Sequence, residues 1–324
     1  MDMKRQAIFG GCMLLAQVAC LGTVLAADGA VGTADFQEQL ARQRAIYDSQ
    51  GESRPKGYVV DRGLEAYADA LPPEFSRRLQ SLGPEDRWLD IGAGRGQAIL
   101  DYYAPGYSLN QATAAKGGGP GTTGTAGTTG PAAAVLPPSV AAAANRKARA
   151  VAMSMEDRRT GQWHQIAAAV GGNRLQYLFD KPLRDYSIQE IGRFQVITDL
   201  LGGFSYTDDL SAFMVKVLDL LDTNGAFYSV LQDVNSERGT NAPFYRNEPY
   251  LTRLFDADGK EVKVCTWLKR IACVQVSCEL RPEWEPPIEI YRVQKTCAQT
   301  SVPSLRRTHY VAGTPPERRF NLER

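Results

Sequence analysis

The chain has 324 residues, 44% of them hydrophobic and 23% charged, which lies in the ordinary range of soluble globular proteins and excludes a wholly disordered or collagen-like polymer. Its 37 Lys and Arg against 36 Asp and Glu leave a formal charge of +1, so no strong field draws it to nucleic acid or to an acidic surface. The length suits one large domain or two small ones with ample core.

Residues 1–27 read as a secretory signal peptide. Lys4 and Arg5 make a basic start, Ala7 to Ala26 is an apolar run, and Val24-Leu25-Ala26 and Leu25-Ala26-Ala27 supply small-x-small cleavage sites. A run of about 20 apolar residues also suffices for one membrane anchor, so contact with a membrane is expected only if the segment stays uncleaved. Asp28, Gly29 and Gly32 follow with no basic stop-transfer cluster, which favours cleavage and a periplasmic or secreted product. Cys20 raises a lipoprotein alternative, which Gln17 in place of an aliphatic residue disfavours.

Residues 28–86 read as a helical lead-in. Val60, Leu64, Tyr67, Ala68 and Leu71 share one helical face that Pro72-Pro73 ends, and Phe75, Leu79 and Leu82 mark a shorter helix from Glu74 to Leu82. Arg87 to Ile91 reads as a buried strand running into Asp90-Ile91-Gly92-Ala93-Gly94-Arg95-Gly96 and a short helix, Gln97 to Tyr103. A strand that opens into a glycine-rich turn and a helix is the ligand-binding end of a βαβ unit. The stretch 117–131, with seven Gly, five Thr, two Pro and one Ala, has no face to bury, so 105–147 is expected to be a flexible insertion. Strands follow at Ala148 to Met155, Arg174 to Phe179, Phe194 to Asp199 and Ala226 to Leu231, with helices between them. The helix carrying Leu210, Phe213, Met214, Val217, Leu218 and Leu221 on one face is expected to be capped by Thr207 or Asp208 and closed by Asn224-Gly225. Val264, Trp267, Leu268 and Ile271 sit at helical spacing, Val274, Val276 and Cys278 alternate as a strand, and Ile288 to Val293 forms another. Strands alternating with helices specify a three-layer α/β domain over 87–300, followed by a loosely held tail over 301–324. Cys265, Cys273, Cys278 and Cys297 are consistent with two disulfides in any of three pairings, and they fit no standard zinc spacing.

The glycines occupy the first, third and fifth places of the loop, and the sixth is Gln97, so the dinucleotide fingerprint fails, as does a P-loop. Leu89-Asp90-Ile91-Gly92-Ala93-Gly94-Arg95-Gly96 instead resembles the first motif of class I S-adenosylmethionine-dependent methyltransferases. Phe194 to Gly203, the helix after it and the strand at Ala226 resemble the fourth strand, helix and fifth strand of that family, and the Val274 and Ile288 segments its last two strands, one of them antiparallel. The resemblance spans 85–296 apart from the insertion. It implies a Rossmann-like fold with a mostly parallel sheet, helices on both faces, and S-adenosyl-L-methionine as cofactor.

By that resemblance Gly92, Gly94 and Gly96 let the backbone approach the methionine part of the cofactor, and Asp90 receives its ammonium through water. Alternatively Gly92 only satisfies the turn and Asp90 caps the next helix. Ser154 falls where the ribose-binding acid is expected, which makes Glu156 the candidate, with Asp157 beside it. Asp180 is placed to receive the adenine amino group or is an exposed loop acid. Asp199 ends the fourth strand at the carboxyl edge, where α/β folds bind ligands. Leu200 continues the core, and Tyr206 is either a wall of the transfer site or a loop aromatic. His164 and His309 read as surface or tail residues, and no Asn-Pro-Pro-Tyr run marks amino-group methylation of bases. Two functions follow: a methyltransferase for a small-molecule substrate, and an exported methyltransferase-like binding protein without turnover. Export conflicts with a cofactor held in the cytoplasm, so a cytoplasmic or membrane-anchored enzyme stands as the alternative location.

Overall fold

The computed structural model describes residues 41, 61–105, 147–171, 173–207, 209–232, 253–284, 288–306, 308–311 and 319–322. The leader, most of the lead-in and nearly all of the insertion lie outside these residues. Helices α1 (Leu64–Ala70) and α2 (Pro73–Ser81) precede strand β1 (Arg87–Ile91) and helix α3 (Gln97–Tyr103). Then come β2 (Arg149–Met153), α4 (Gly161–Val170), β3 (Leu175–Leu178), a 3-10 turn, α5 (Ile188–Ile191), β4 (Phe194–Leu200), α6 (Gly203–Tyr206), α7 (Leu210–Leu220) and β5 (Leu221–Gln232). The hairpin β6 (Arg253–Phe255) and β7 (Glu261–Lys263) leads to α8 (Val264–Leu268), β8 (Val274–Arg281) and β9 (Ile288–Lys295), and β10 (Thr308–Val311) and β11 (Arg319–Leu322) pair near the end.

Seven strands form one sheet in the order β3-β2-β1-β4-β5-β9-β8. The first five neighbours are parallel, and β9 runs antiparallel to both β5 and β8. Parallel neighbours need crossovers, and the helices supply them. On one face Trp88, Ala150, Ala152, Val196 and Tyr228 pack with Tyr67 of α1, Phe75 of α2, Tyr103 of α3 and Trp163 of α4. On the other, Leu89, Val151, Ile197 and Phe227 pack with Ile191 of α5, Phe204 of α6, Met214 of α7 and Trp267 of α8. Burial on both faces explains why apolar residues stand at consecutive rather than alternating positions, Trp88-Leu89 in β1, Ala150 to Met153 in β2 and Val196-Ile197 in β4. Each wholly buried side chain of the size of Phe75 or Phe194 contributes about 1.5–3 kcal/mol through its removal from water. The three-layer, Rossmann-like fold agrees with expectation, and of the two strands β8 and β9 it is β9 that runs antiparallel to the rest of the sheet.

Boundaries differ in instructive places. Asp209 caps α7, its side chain accepting from the N–H of Ala212, where Thr207 or Asp208 was expected. α7 stops at Leu220 and passes directly into β5, so Asn224-Gly225 does not close the helix. Asn224 takes φ 67 within the span of β5, and the register with β4 shifts there. The β6–β7 hairpin was not visible in the sequence because its strands are three residues each. The start of the tail is pinned: Ser301 bridges Ala272, Leu305 bridges Asp256, and Trp267 Nε1 donates to the carbonyl of Pro303 at 2.9 Å. The cysteines pair as Cys265–Cys278 and Cys273–Cys297. Among the described residues no helix is long and apolar enough to cross a membrane, and no group of His, Cys, Asp or Glu could hold a metal ion.

Candidate functional site

The strand order reverses between β1 and β4, the point of an open α/β sheet at whose carboxyl edge ligands bind, and here the loops that leave the two strands cross in close contact. The β1 loop holds Gly92, Gly94 and Gly96 at φ 73, 58 and 78, the left-handed region that residues with a Cβ rarely adopt. Gly92 is exposed, whereas Gly94 and Gly96 are buried. A Cβ on Gly92 would stand 2.7 Å from the Cα of Gly202 in the β4 loop, and one on Gly96 would overlap the ring of Trp163 on α4. Gly202 is just as constrained, because its own Cβ would lie 2.7 Å from the carbonyl oxygen of Ile91. The carbonyl of Gly94 accepts from Tyr177 Oη of β3. The glycine requirement at Gly92 and Gly96 is therefore intramolecular, and of the three loop glycines Gly92 is the exposed one.

Two carboxylates flank this crossing. Asp90 is wholly buried and accepts from Tyr67 Oη at 2.9 Å on both of its oxygens, and from Thr198 Oγ1 at 2.7 Å. Trp88 Nε1 in turn donates to Thr198 Oγ1 at 2.8 Å. Asp90 does not cap α3, whose cap position is Gly96 with no side-chain bond. Asp199, also wholly buried, accepts from the N–H of Gly202 at 2.8 Å and of Phe204 at 2.9 Å, which folds the β4 loop back over Ile91. Asp90 stands opposite Thr198 and Ile91 opposite Asp199, so the two acids project from opposite faces of adjacent strands. Loss of hydration in the interior raises both carboxyls from 3.8 to about 7, against the pull of their hydrogen bonds. The Asp90 charge raises Asp199 further, and Arg62 favours the ionised form of Asp90.

The other predicted positions spread along the same edge. The N–H of Ser154 donates to the Leu178 carbonyl at 3.0 Å, continuing the β2–β3 ladder. Glu156 accepts from Arg158 Nη2 at 2.8 Å, and its carboxylate is largely shielded. Asp157 forms a two-pronged pair with Arg159, which pulls its carboxyl down to about 2. The Arg159 guanidinium also lies 5.1 Å from the Phe179 ring centre and 5.9 Å from that of Tyr177. Asp180 is exposed at φ 69 in the turn after β3. Leu200 is core, His164 is exposed on α4, and the side chains of Tyr206 and His309 lie outside the described residues. Sequence reasoning missed Tyr67 and Thr198 as partners of Asp90. Tyr67 read only as one apolar position of a helical face, and a β4 threonine facing β1 becomes visible only once register is known.

The geometry thus sets exposed glycine backbone beside two buried acids, an arrangement whose chemistry suits a ligand that carries positive charge and needs close main-chain approach. No protein-family model and no curated protein matches the chain. Solved structures similar to it include the N-methyltransferase NodS from Bradyrhizobium japonicum WM9, 11% identical over 69% of this chain and 94% of that one, with a TM-score of 0.36. An O-methyltransferase family protein from Burkholderia thailandensis is 14% identical over 86% of this chain and 75% of that one, with a TM-score of 0.39. An rRNA methylase from Streptococcus thermophilus is 10% identical over 69% of this chain and 95% of that one, with a TM-score of 0.35. The chain is similar to these methyltransferases in general architecture alone.

Proposed function

We propose that this protein binds S-adenosyl-L-methionine at the carboxyl edge of β1 and β4 and transfers its methyl group to a small-molecule acceptor. The observation that carries this reading is the crossing of the two loops, with Gly92 exposed and Asp90 and Asp199 buried on either side. The fit is chemical: sulfonium and ammonium are cations, and two carboxyls held at the edge of ionisation favour cations while excluding water. Gly92, Gly94 and Gly96 would hold the methionine part, Asp90 and Asp199 would supply the negative field, and Glu156 and Asp180 would face the ribose and adenine ends.

When bound, the cofactor supplies a methyl group already activated by its attachment to a sulfonium. The chain's own residues then orient and desolvate, and that work lowers the barrier of an in-line displacement without a dedicated triad. Thr198 and Tyr67 keep Asp90 fixed, and the N–H groups of Gly202 and Phe204 keep Asp199 fixed, so neither acid has to reorganise as a cation arrives.

A second reading is an exported binding protein without turnover; the disulfides Cys265–Cys278 and Cys273–Cys297 support its export alone, because such bonds persist in oxidising compartments. Calorimetric titration of the full chain with S-adenosylmethionine and with S-adenosylhomocysteine tests both. Saturable binding of each is the expected result. Absence of heat with either compound at millimolar concentration overturns the assignment, and tight binding with no methyl transfer to any acceptor in a broad small-molecule panel favours the second reading.

A further inference from the structure

Tyr177 joins the end of β3 to the glycine loop. Its Oη donates to the carbonyl of Gly94 and stands 3.4 Å from that of Glu156, its ring meets Trp163 edge-on at 5.0 Å, and the Phe179 ring follows at 6.2 Å. Tyr177 and Phe179 thus form an aromatic surface between the glycine loop and the ends of β2 and β3, where the functional reading puts the adenosine end of the cofactor. The chain itself covers that surface. The Arg159 guanidinium centre lies 5.1 Å from the Phe179 ring centre and 5.9 Å from that of Tyr177. Asp157 holds it there, accepting from Nε at 2.8 Å and Nη2 at 2.7 Å, and from the N–H of Arg159 at 3.1 Å. Arg158 Nη2 donates in the same way to Glu156 at 2.8 Å. Both acids at the end of β2 are therefore engaged by arginines of their own loop.

The side chains of Asp157 and Arg159 remain 41% and 30% exposed, so water and salt weaken their attraction. A guanidinium on an aromatic face at the surface adds only a modest further stabilisation. The cover is held by contacts that a planar base can replace, because stacking returns to the rings what the guanidinium gives up. We propose that the Asp157–Arg159 pair is an autoinhibitory cover on the Tyr177–Phe179 surface, which the adenosine end of the cofactor displaces as it binds. The inference rests on the functional reading above. It makes the empty site a closed one, whose apparent affinity is lowered by the fraction of molecules in which the cover is seated.

Adenosine isolates this contact, because it carries the base and the ribose without charge, so that removing a cation does not by itself change its attraction to the site. By calorimetry on the full chain, Arg159→Gln should bind adenosine and S-adenosylhomocysteine about three- to thirtyfold more tightly than the wild type, the range of one exposed charge pair and one cation–π contact. Asp157→Asn, which releases the guanidinium but leaves it in the loop, should give part of that gain. The double variant should gain no more than Arg159→Gln alone, because both changes act on one contact. An Arg159→Gln chain that binds adenosine no better than the wild type overturns the proposal, and a weaker one makes Arg159 a wall of the site instead. Weaker binding by Asp157→Asn likewise overturns it, by making the acid a holder of the ribose. Should Arg159→Gln fail to unfold cooperatively, Asp157→Asn decides the matter. If wild type and variants alike bind neither compound, the functional reading itself falls, a result distinct from binding that the variants leave unchanged.

Discussion

Asp90 and Asp199 are the residues on which the site turns, and burial gives them a pH signature. A carboxyl raised from 3.8 unfolded to about 7 folded binds more protons in the native state over that interval. Stability is therefore greatest at the acidic end of the interval and falls as pH rises toward 7. Asp157 and Glu190, whose carboxyls are drawn down to about 2 by Arg159 and Lys181, act in the opposite sense and at lower pH. Urea unfolding between pH 4 and 8 should show this decline, and Asp90→Asn should remove about half of it, since one of two such carboxyls is lost. An unchanged slope in the variant would mean that Asp90 is not the group responsible. At Gly96 both φ 78 and the neighbouring Trp163 ring forbid a side chain. Gly96→Ala is expected to cost about 1–3 kcal/mol in urea unfolding, through backbone strain and overpacking together. A neutral result would show that the loop relaxes around Trp163.

Among the elements, α7 shows how a helix end is satisfied without glycine. Its amino end is capped by Asp209, and at its carboxyl end Lys295 Nζ of β9, nearly inaccessible to solvent, donates to the carbonyls of Leu218 at 2.7 Å and Leu221 at 3.0 Å. Burial lowers the basicity of this amine, since desolvation disfavours its charged form, while the helix carbonyls hold it in place. Lys295→Met keeps the apolar stem and removes the donor, so two buried carbonyls lose a partner and about 1–3 kcal/mol should be lost in chemical denaturation. Retention of full stability would show that water or the main chain takes over. The helix thus ends at Leu220, short of the asparagine-glycine pair, and a lysine from a neighbouring strand, not a glycine cap, meets its last carbonyls.

Across the whole molecule the disulfides fasten the antiparallel end of the sheet. Cys265–Cys278 ties α8 to β8, and Cys273–Cys297 ties the turn before β8 to the chain leaving β9, over sequence separations of 13 and 24. Closing loops of this size restricts the unfolded chain, and each bond is expected to contribute about 2–4 kcal/mol. The Cys265→Ser/Cys278→Ser double variant should therefore unfold at lower urea than the wild type, and reductant should produce a comparable loss. Equal midpoints with and without reductant would show that packing of Trp267 and Tyr291 alone secures this end.

Strands β1, β2 and β4 were legible because adjacent apolar residues in short segments read as strands buried on both faces, and the glycine loop was legible because three glycines beside an acid imply unusual backbone. Periodicity found α7, and a resemblance confined to a few motifs was enough to anticipate the antiparallel strand. Only the folded chain chose the disulfide pairing, the cap at Asp209 in place of the expected Thr207 or Asp208, and the partners of Asp90. The cap is a local choice, Asp209 bonding Ala212 three residues on, but the disulfides and above all the partners of Asp90 join residues apart in sequence: Tyr67 and Thr198 reach Asp90 across 23 and 108 residues. Local pattern encodes which face of a strand or helix is buried, but which group meets which within that interior is settled when the layers pack, since distance in space and not order along the chain sets the strength of a hydrogen bond or a charge.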